Sequence, residues 1–231
     1  GAASADMTPP AGIPMAGGWR PKPSQGIDTP LMAHALVLDD GAMRLAIISL
    51  DLIVLLAEDA NRAKERIRGE TGIPPENIIV ACSHTHEAPY PAPLLGEDTL
   101  PDAAYMARVR HAIVESCVRA ANSMAPAEVG SGSAKVSGIC ANRRLLRGPT
   151  DAWNAWMLSR EEADKLQPAG PVDEEVLLLA VRRPSGQHVA ALWNFSLHAH
   201  AFWAQKICAD YPYYVGQRLK ASLHADLVSV F

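Results

Sequence analysis

Two mixed β-sheets packed between helices, an αββα-like member of the α/β class, is the architecture that three features of this sequence predict. Apolar runs of strand length come in pairs around short turn signals. Segments with helical spacing separate these pairs from further strands. The order hairpin, helix, strand over residues 31–81 returns over residues 176–231, which predicts two similar β-β-α-β halves, each with its helices on one face of a mixed sheet.

Taken in order, residues 1–30 are rich in proline and glycine, from Thr8-Pro9-Pro10 through Gly17-Gly18 to Pro23. Proline lacks the N–H that a helix or a central ladder needs, so this segment is neither. Ile13, Met15 and Trp19 predict an ordered loop laid over a core, and Gly1-Ala2-Ala3 reads as if already inside a strand. Residues 31–38 and 44–50 flank Asp39-Asp40-Gly41, a hairpin signal. Residues 58–70 follow as a helix with Ala60, Ala63 and Ile67 on its apolar side and Gly72 as its stop. A buried strand is expected at residues 78–81. In residues 102–124, Tyr105, Val109, Ile113, Cys117 and Ala121 recur every fourth position, the stripe of a long helix that ends before Pro126.

A strand is expected over residues 128–137. Residues 141–173 read as a long irregular connection containing Asn142-Arg143-Arg144 and two tryptophans, of a length that usually marks a functional loop or lid. Residues 176–183 and 188–195 flank Pro184-Ser185-Gly186 as a second hairpin. Pro212 opens a helix over residues 213–223, and residues 226–231 form the last strand.

The 231 residues suffice for one large domain with a sizeable core. A net charge of −4 with no basic stripe argues against nucleic acid as the main partner. The longest apolar run, around Leu45 to Leu56, is interrupted by Ser49 and Asp51, so no membrane span is expected. Cys82, Cys117, Cys140 and Cys208 lack C-x-x-C spacing; Cys82 and Cys208 lie within a few residues of the histidines and are candidate ligands, but small buried free thiols is the preferred reading.

Chemistry concentrates at two places. Residues 78–82 lead into Ser83-His84-Thr85-His86-Glu87, and residues 192–195 lead into Ser196-Leu197-His198-Ala199-His200. Four of the eight histidines thus sit in two H-x-H pairs at strand ends. In an extended chain, residues two apart share a face, so each pair is expected to point one way, a start for a zinc site. A polar turn with solvated histidines is the competing account of either pair alone. Asp210, before Tyr211-Pro212, reads as a helix N-cap rather than a catalytic acid. Asp51, at the end of an apolar run, needs hydrogen bonds if buried, with the site loops as their expected source.

These pieces resemble the N-terminal catalytic part of the neutral/alkaline non-lysosomal ceramidase family. The matching segments are Ala5-Asp6-Met7-Thr8-Pro9-Pro10, Pro14-Met15-Ala16-Gly17, Gly26-Ile27-Asp28-Thr29-Pro30-Leu31, Ser83-His84-Thr85-His86, Asn142-Arg143, Gly170-Pro171-Val172-Asp173, Phe195-Ser196-Leu197-His198-Ala199 and Ala209-Asp210-Tyr211-Pro212, all in the family's order. The resemblance implies a zinc-dependent hydrolase that cleaves the amide bond of an N-acyl, sphingolipid-like substrate, with zinc-bound water as nucleophile. It places metal ligands on His84 and His198, a substrate-side catalytic histidine on His86 and a substrate-binding arginine on Arg143. The remaining ligands, a glutamate and a tyrosine, belong to a later part of the family's sequence. Residues 1–231 are therefore expected to form a single catalytic-type domain truncated at its C-terminal end, without tight zinc binding or catalysis of its own. The resemblance also favours a secreted or periplasmic location.

Three departures from the family bear on the substrate. Glu87 stands where a small hydroxyl residue is usual, His200 where threonine is usual, and Arg144 where serine is usual. These three are expected around the metal or against substrate, and they make a smaller polar amide or an ester an alternative to ceramide. The competing functional class is a non-catalytic lipid- or glycan-binding module on the same fold.

Overall fold

The computed structural model describes residues 1–18, 20–94, 100–202 and 204–231, so the expectation for Trp19 lies outside the described residues. Its elements in chain order are β1 (Ala2–Asp6), β2 (Pro14–Met15), β3 (Lys22–Pro23), β4 (Met32–Asp39), β5 (Arg44–Leu50), α1 (Ala57–Thr71), β6 (Ile78–Cys82), α2 (Ala103–Asn122), β7 (Glu128–Lys135), β8 (Arg144–Leu146), β9 (Ala152–Asn154), α3 (Arg160–Ala163), β10 (Gln167–Pro168), β11 (Glu175–Arg182), β12 (His188–Phe195), α4 (Tyr211–Ser222) and β13 (Val228–Val230).

The expected repeat is visible in the strand orders. One sheet runs β1-β4-β5-β6 and the other β7-β11-β12-β13. In each, a helix crosses over from the third strand to a parallel fourth, with Leu50 beside Cys82 in one sheet and Ala190 beside Val228 in the other. The first sheet is mixed, since β1–β4 and β4–β5 are antiparallel. Beyond the β-β-α-β unit each half carries one further strand, β1 and β7 respectively, both expected as strands from the sequence and placed at the edge next to the hairpin.

Side-chain alternation sets the layers. Ala33, Ala35 and Val37 of β4, with Ala46 and Ile48 of β5, face the helices and pack with Ala63 and Ile67 of α1 and Val109, Ala112, Ile113 and Cys117 of α2. The small residues on these strands let the helices approach closely. Leu36 and Leu38, on the opposite face of β4, pack with Val181, Ala190, Leu192, Val228 and Val230 of the second sheet. Beyond that sheet lies α4, where a Cβ added to Gly216 would come within 3.1 Å of Ser229. The order of layers is helices, sheet, sheet, helix.

Local chemistry fixes the ends of the elements. The Asp102 carboxylate accepts from the Tyr105 N–H at 2.7 Å and caps α2. Gly72, at φ 73°, ends α1 in the left-handed region that costs glycine least. Asp51 is buried, but its support does not come from the site loops. It accepts from the Met32 N–H at 2.9 Å and faces His34 at 3.8 Å. The cause is cross-strand: β4 pairs beside β5 and carries both groups to its end.

The chain divides into two compact units, Gly1–Ser131 with Leu179–Trp193 and His198–Phe231, and Gly132–Leu178 with Asn194–Leu197. The second unit corrects the expectation of an irregular connection over residues 141–173. Within it, β10, β8 and β9 form a three-stranded antiparallel sheet around the buried Leu145. A capping box between Ser159 and Glu162 starts α3. Strands of two or three residues are too short to show periodicity, so the sequence pattern reads as loop.

Candidate metal centre

The parallel pairing of β5 and β6 builds the first side of the site. β6 ends at Cys82, and the pairing continues as single bonds: the Ser83 N–H donates to the Leu50 carbonyl and the His84 N–H to the Leu52 carbonyl, both at 2.9 Å. His84 then adopts φ 66°. This corrects the extended-chain argument for the H-x-H pair, because the strand has ended and the backbone turns. The rings of His84 and His86 still converge, with centroids 5.1 Å apart at a steep 80° angle. Positive φ is uncommon for a non-glycine residue and signals a position held by its surroundings.

Two contacts do the holding. The Thr85 hydroxyl, fully buried, donates to the Cys208 carbonyl at 2.8 Å, and the Cys208 N–H donates to the Glu87 carbonyl at 2.9 Å. His84 Nδ1 lies 2.7 Å from the Ile53 carbonyl oxygen. A carbonyl oxygen can only accept, so Nδ1 carries the proton and Nε2 is left with its lone pair. This is the arrangement that orients imidazole ligands in metal sites.

The second side follows β12. His198 and His200 lie in a turn in which the His200 N–H donates to the His198 carbonyl at 2.8 Å. Asp210, fully buried, accepts from the Ala201 and Phe202 N–H groups with one carboxylate oxygen and from the Tyr211 N–H with the other. It is therefore an N-cap of α4, as expected, and also the anchor of the His198–His200 turn.

Together these loops bring one ring nitrogen from each of His84, His86 and His198 within 4.8 Å of the others. His198 packs against His84 and His86 at centroid distances of 4.9 and 4.8 Å, and His200 against His86 at 4.3 Å. Both ring nitrogens of His86 are buried without a hydrogen-bond partner among the described residues. Burial pushes its pKa down to about 4, helped by His200 and His198 and opposed by the nearby Gly17 backbone. His86 is thus neutral at neutral pH, the form that can bind a cation or take up a proton. An orphaned buried imidazole beside a tautomer-fixed one is a donor set that fits zinc.

The other predicted residues fall as follows. Glu87 is buried, and burial with the Asp210 charge pushes its pKa up to about 7. His200 is half-buried beside His86. Arg143 and Arg144 belong to the second unit, where the Arg143 guanidinium lies 4.9 Å from the centre of the Trp156 ring and the Arg144 N–H donates to the Asn142 side chain. All four cysteines are free thiols, but only Cys117 and Cys208 are buried, while Cys82 and Cys140 are half-buried. Sequence reasoning missed two participants, the Ile53 carbonyl and Gly17. A backbone carbonyl has no residue signature. Gly17 left one, in the Gly17-Gly18 pair: a Cβ there would lie 2.4 Å from the His86 carbonyl oxygen.

No family model and no curated protein matches this chain in sequence. Its fold matches solved ceramidases. Neutral ceramidase from Pseudomonas aeruginosa superposes with a TM-score of 0.77 at 20% identity, and a ceramidase complexed with C2 with a TM-score of 0.75 at 18%. Both matches cover 100% of this chain, which spans 37% and 36% of those chains. The fold is the ceramidase-like α/β fold, as the sequence motifs imply.

Proposed function

We propose that this protein is a zinc-dependent hydrolase of the ceramidase type, cleaving an amide bond of an N-acyl substrate. The observation that carries this reading is the meeting of His84, His86 and His198 within 4.8 Å, on a fold similar to that of neutral ceramidase. His84 and His198 would hold the ion. Zinc so held would polarise a carbonyl and lower the pKa of a water to about 7.

The chain's own residues supply the rest. The Ile53 carbonyl keeps His84 in the tautomer whose Nε2 is free to ligate. His86, neutral and without a hydrogen-bond partner among the described residues, can take a proton from the attacking water at one ring nitrogen. It can then return that proton to the departing amine nitrogen. Asp210 fixes the backbone of the turn that carries His198 and His200.

The fold neighbours are ceramidases, which makes a sphingolipid amide the first substrate to assay. Glu87 and His200 make small polar amides the second. The test is hydrolysis of a panel of N-acyl and O-acyl compounds by the purified protein, with zinc and after chelation. Chelator-sensitive release of fatty acid or small acid from an amide supports the proposal. Chelator-insensitive turnover, or cleavage of esters alone, contradicts it.

A further inference from the structure

A cavity of about 510 Å³ lies beside the histidine loop, lined in part by Met15, Gly17, Gly18, Arg20, Lys22 and Glu87. Its volume is that of a small-molecule site. Glu87 is only 5% exposed, and its carboxyl has no hydrogen bond or ion pair with any described residue. Buried carboxyls are ordinarily satisfied, so one that lines a cavity without a partner marks where a donor is to be placed. A carboxylate accepts most strongly from a charged donor, so an ammonium group suits this position better than a neutral N–H.

Arg20 and Lys22 complement this. Both are exposed, and neither is ion-paired among the described residues. Two unengaged cations at one cavity suit a carboxylate. Gly17 and Gly18 leave one wall as bare backbone, and the close approach of Gly17 to His86 keeps that wall free of a side chain. Buried Met15 adds apolar surface.

We propose that this cavity binds a small zwitterion of the amino-acid class, its ammonium group against Glu87 and its carboxylate at Arg20 and Lys22. An apolar side chain on such a ligand has Met15 to pack against. The site requires no metal, and it lies beside the loop that carries His86.

Calorimetric titration of the metal-free chain with L-phenylalanine, 2-phenylethylamine and 3-phenylpropionate tests this directly. Each charge-assisted contact is worth about a factor of ten or more, so L-phenylalanine is expected to bind at least about tenfold more tightly than either singly charged analogue. Glu87→Gln is expected to weaken L-phenylalanine by a similar factor and leave 3-phenylpropionate unchanged. The double variant Arg20→Gln, Lys22→Gln is expected to weaken both carboxylates and spare the amine. Because Arg20 and Lys22 are exposed, that variant keeps the fold, which a melting curve checks. Absence of L-phenylalanine binding at millimolar concentration, equal affinity for all three probes, or indifference to both variants overturns the proposal. No turnover enters the measurement, so its failure leaves the hydrolase proposal standing.

Discussion

The Nδ1 atom of His84 sits 2.7 Å from the carbonyl oxygen of Ile53, and this contact determines which nitrogen of His84 remains for chemistry. Long-range proton–nitrogen NMR spectra of the metal-free protein above pH 7 report the tautomer. The Nδ1–H form is expected, and a dominant Nε2–H form would remove His84 from the ligand set.

Gly17 predicts a steric effect at a distance from the histidine rings. Gly17→Ala would put a methyl group 2.4 Å from the His86 carbonyl oxygen, so either loop must move. Overpacking of this kind costs about 1–3 kcal/mol, and the denaturant midpoint should fall accordingly. Zinc affinity should fall with it, because the His86 loop is the part displaced. An unchanged midpoint would show that the two loops are not held together.

Core packing gives a plainer expectation. Ile113 of α2 is fully buried against the first sheet. Ile113→Ala should cost about 2–5 kcal/mol in denaturant unfolding, the range for large-to-small core changes. A loss below about 1 kcal/mol would mean that α2 does not pack on that sheet as described.

Asp51 and His34 shape the pH dependence of stability in opposite senses. Burial raises Asp51 from 3.8 to about 7, so its contribution is fully present below pH 3.8 and is lost as pH rises toward 7. Burial, with Lys220 nearby, lowers His34 from 6.5 to about 4, so its contribution is present above pH 6.5 and is lost as pH falls toward 4. Between these limits the two slopes oppose. Asp51→Asn removes the first and can still accept from the Met32 N–H, so the variant should lose stability steadily from pH 6.5 down to 4. It should also exceed the wild type at pH 7. A variant with the wild-type profile would show that Asp51 ionises normally in the fold.

Much of this fold is legible in the sequence because its signals are local. The four-residue spacing from Tyr105 to Ala121 becomes α2, and Gly41, with φ 89°, sits in the β4–β5 turn where Asp39-Asp40-Gly41 puts it. The repeat of hairpin, helix and strand is readable because each element is long enough to show its period. The parts missed depend on pairing between distant residues or on backbone atoms. Asp51 meets His34 only through strand register, the turn at His84 carries no glycine to announce it, and β8 to β10 are too short to alternate. The histidines themselves were visible by residue type. Their convergence needed the fold.

His86 separates two versions of the centre. If His84 and His198 ligate while His86 serves the substrate, His86→Ala should retain most of the bound metal and lose most of the amide turnover. Loss of metal equal to that of His84→Ala would instead make His86 a third ligand.

The central claim is that these histidines hold zinc, and a zinc titration of the chelator-stripped chain against a chromophoric competitor tests it most directly. The expected result is one zinc per chain, with binding abolished by His84→Ala and by His198→Ala. Wild-type affinity in either variant would contradict the claim.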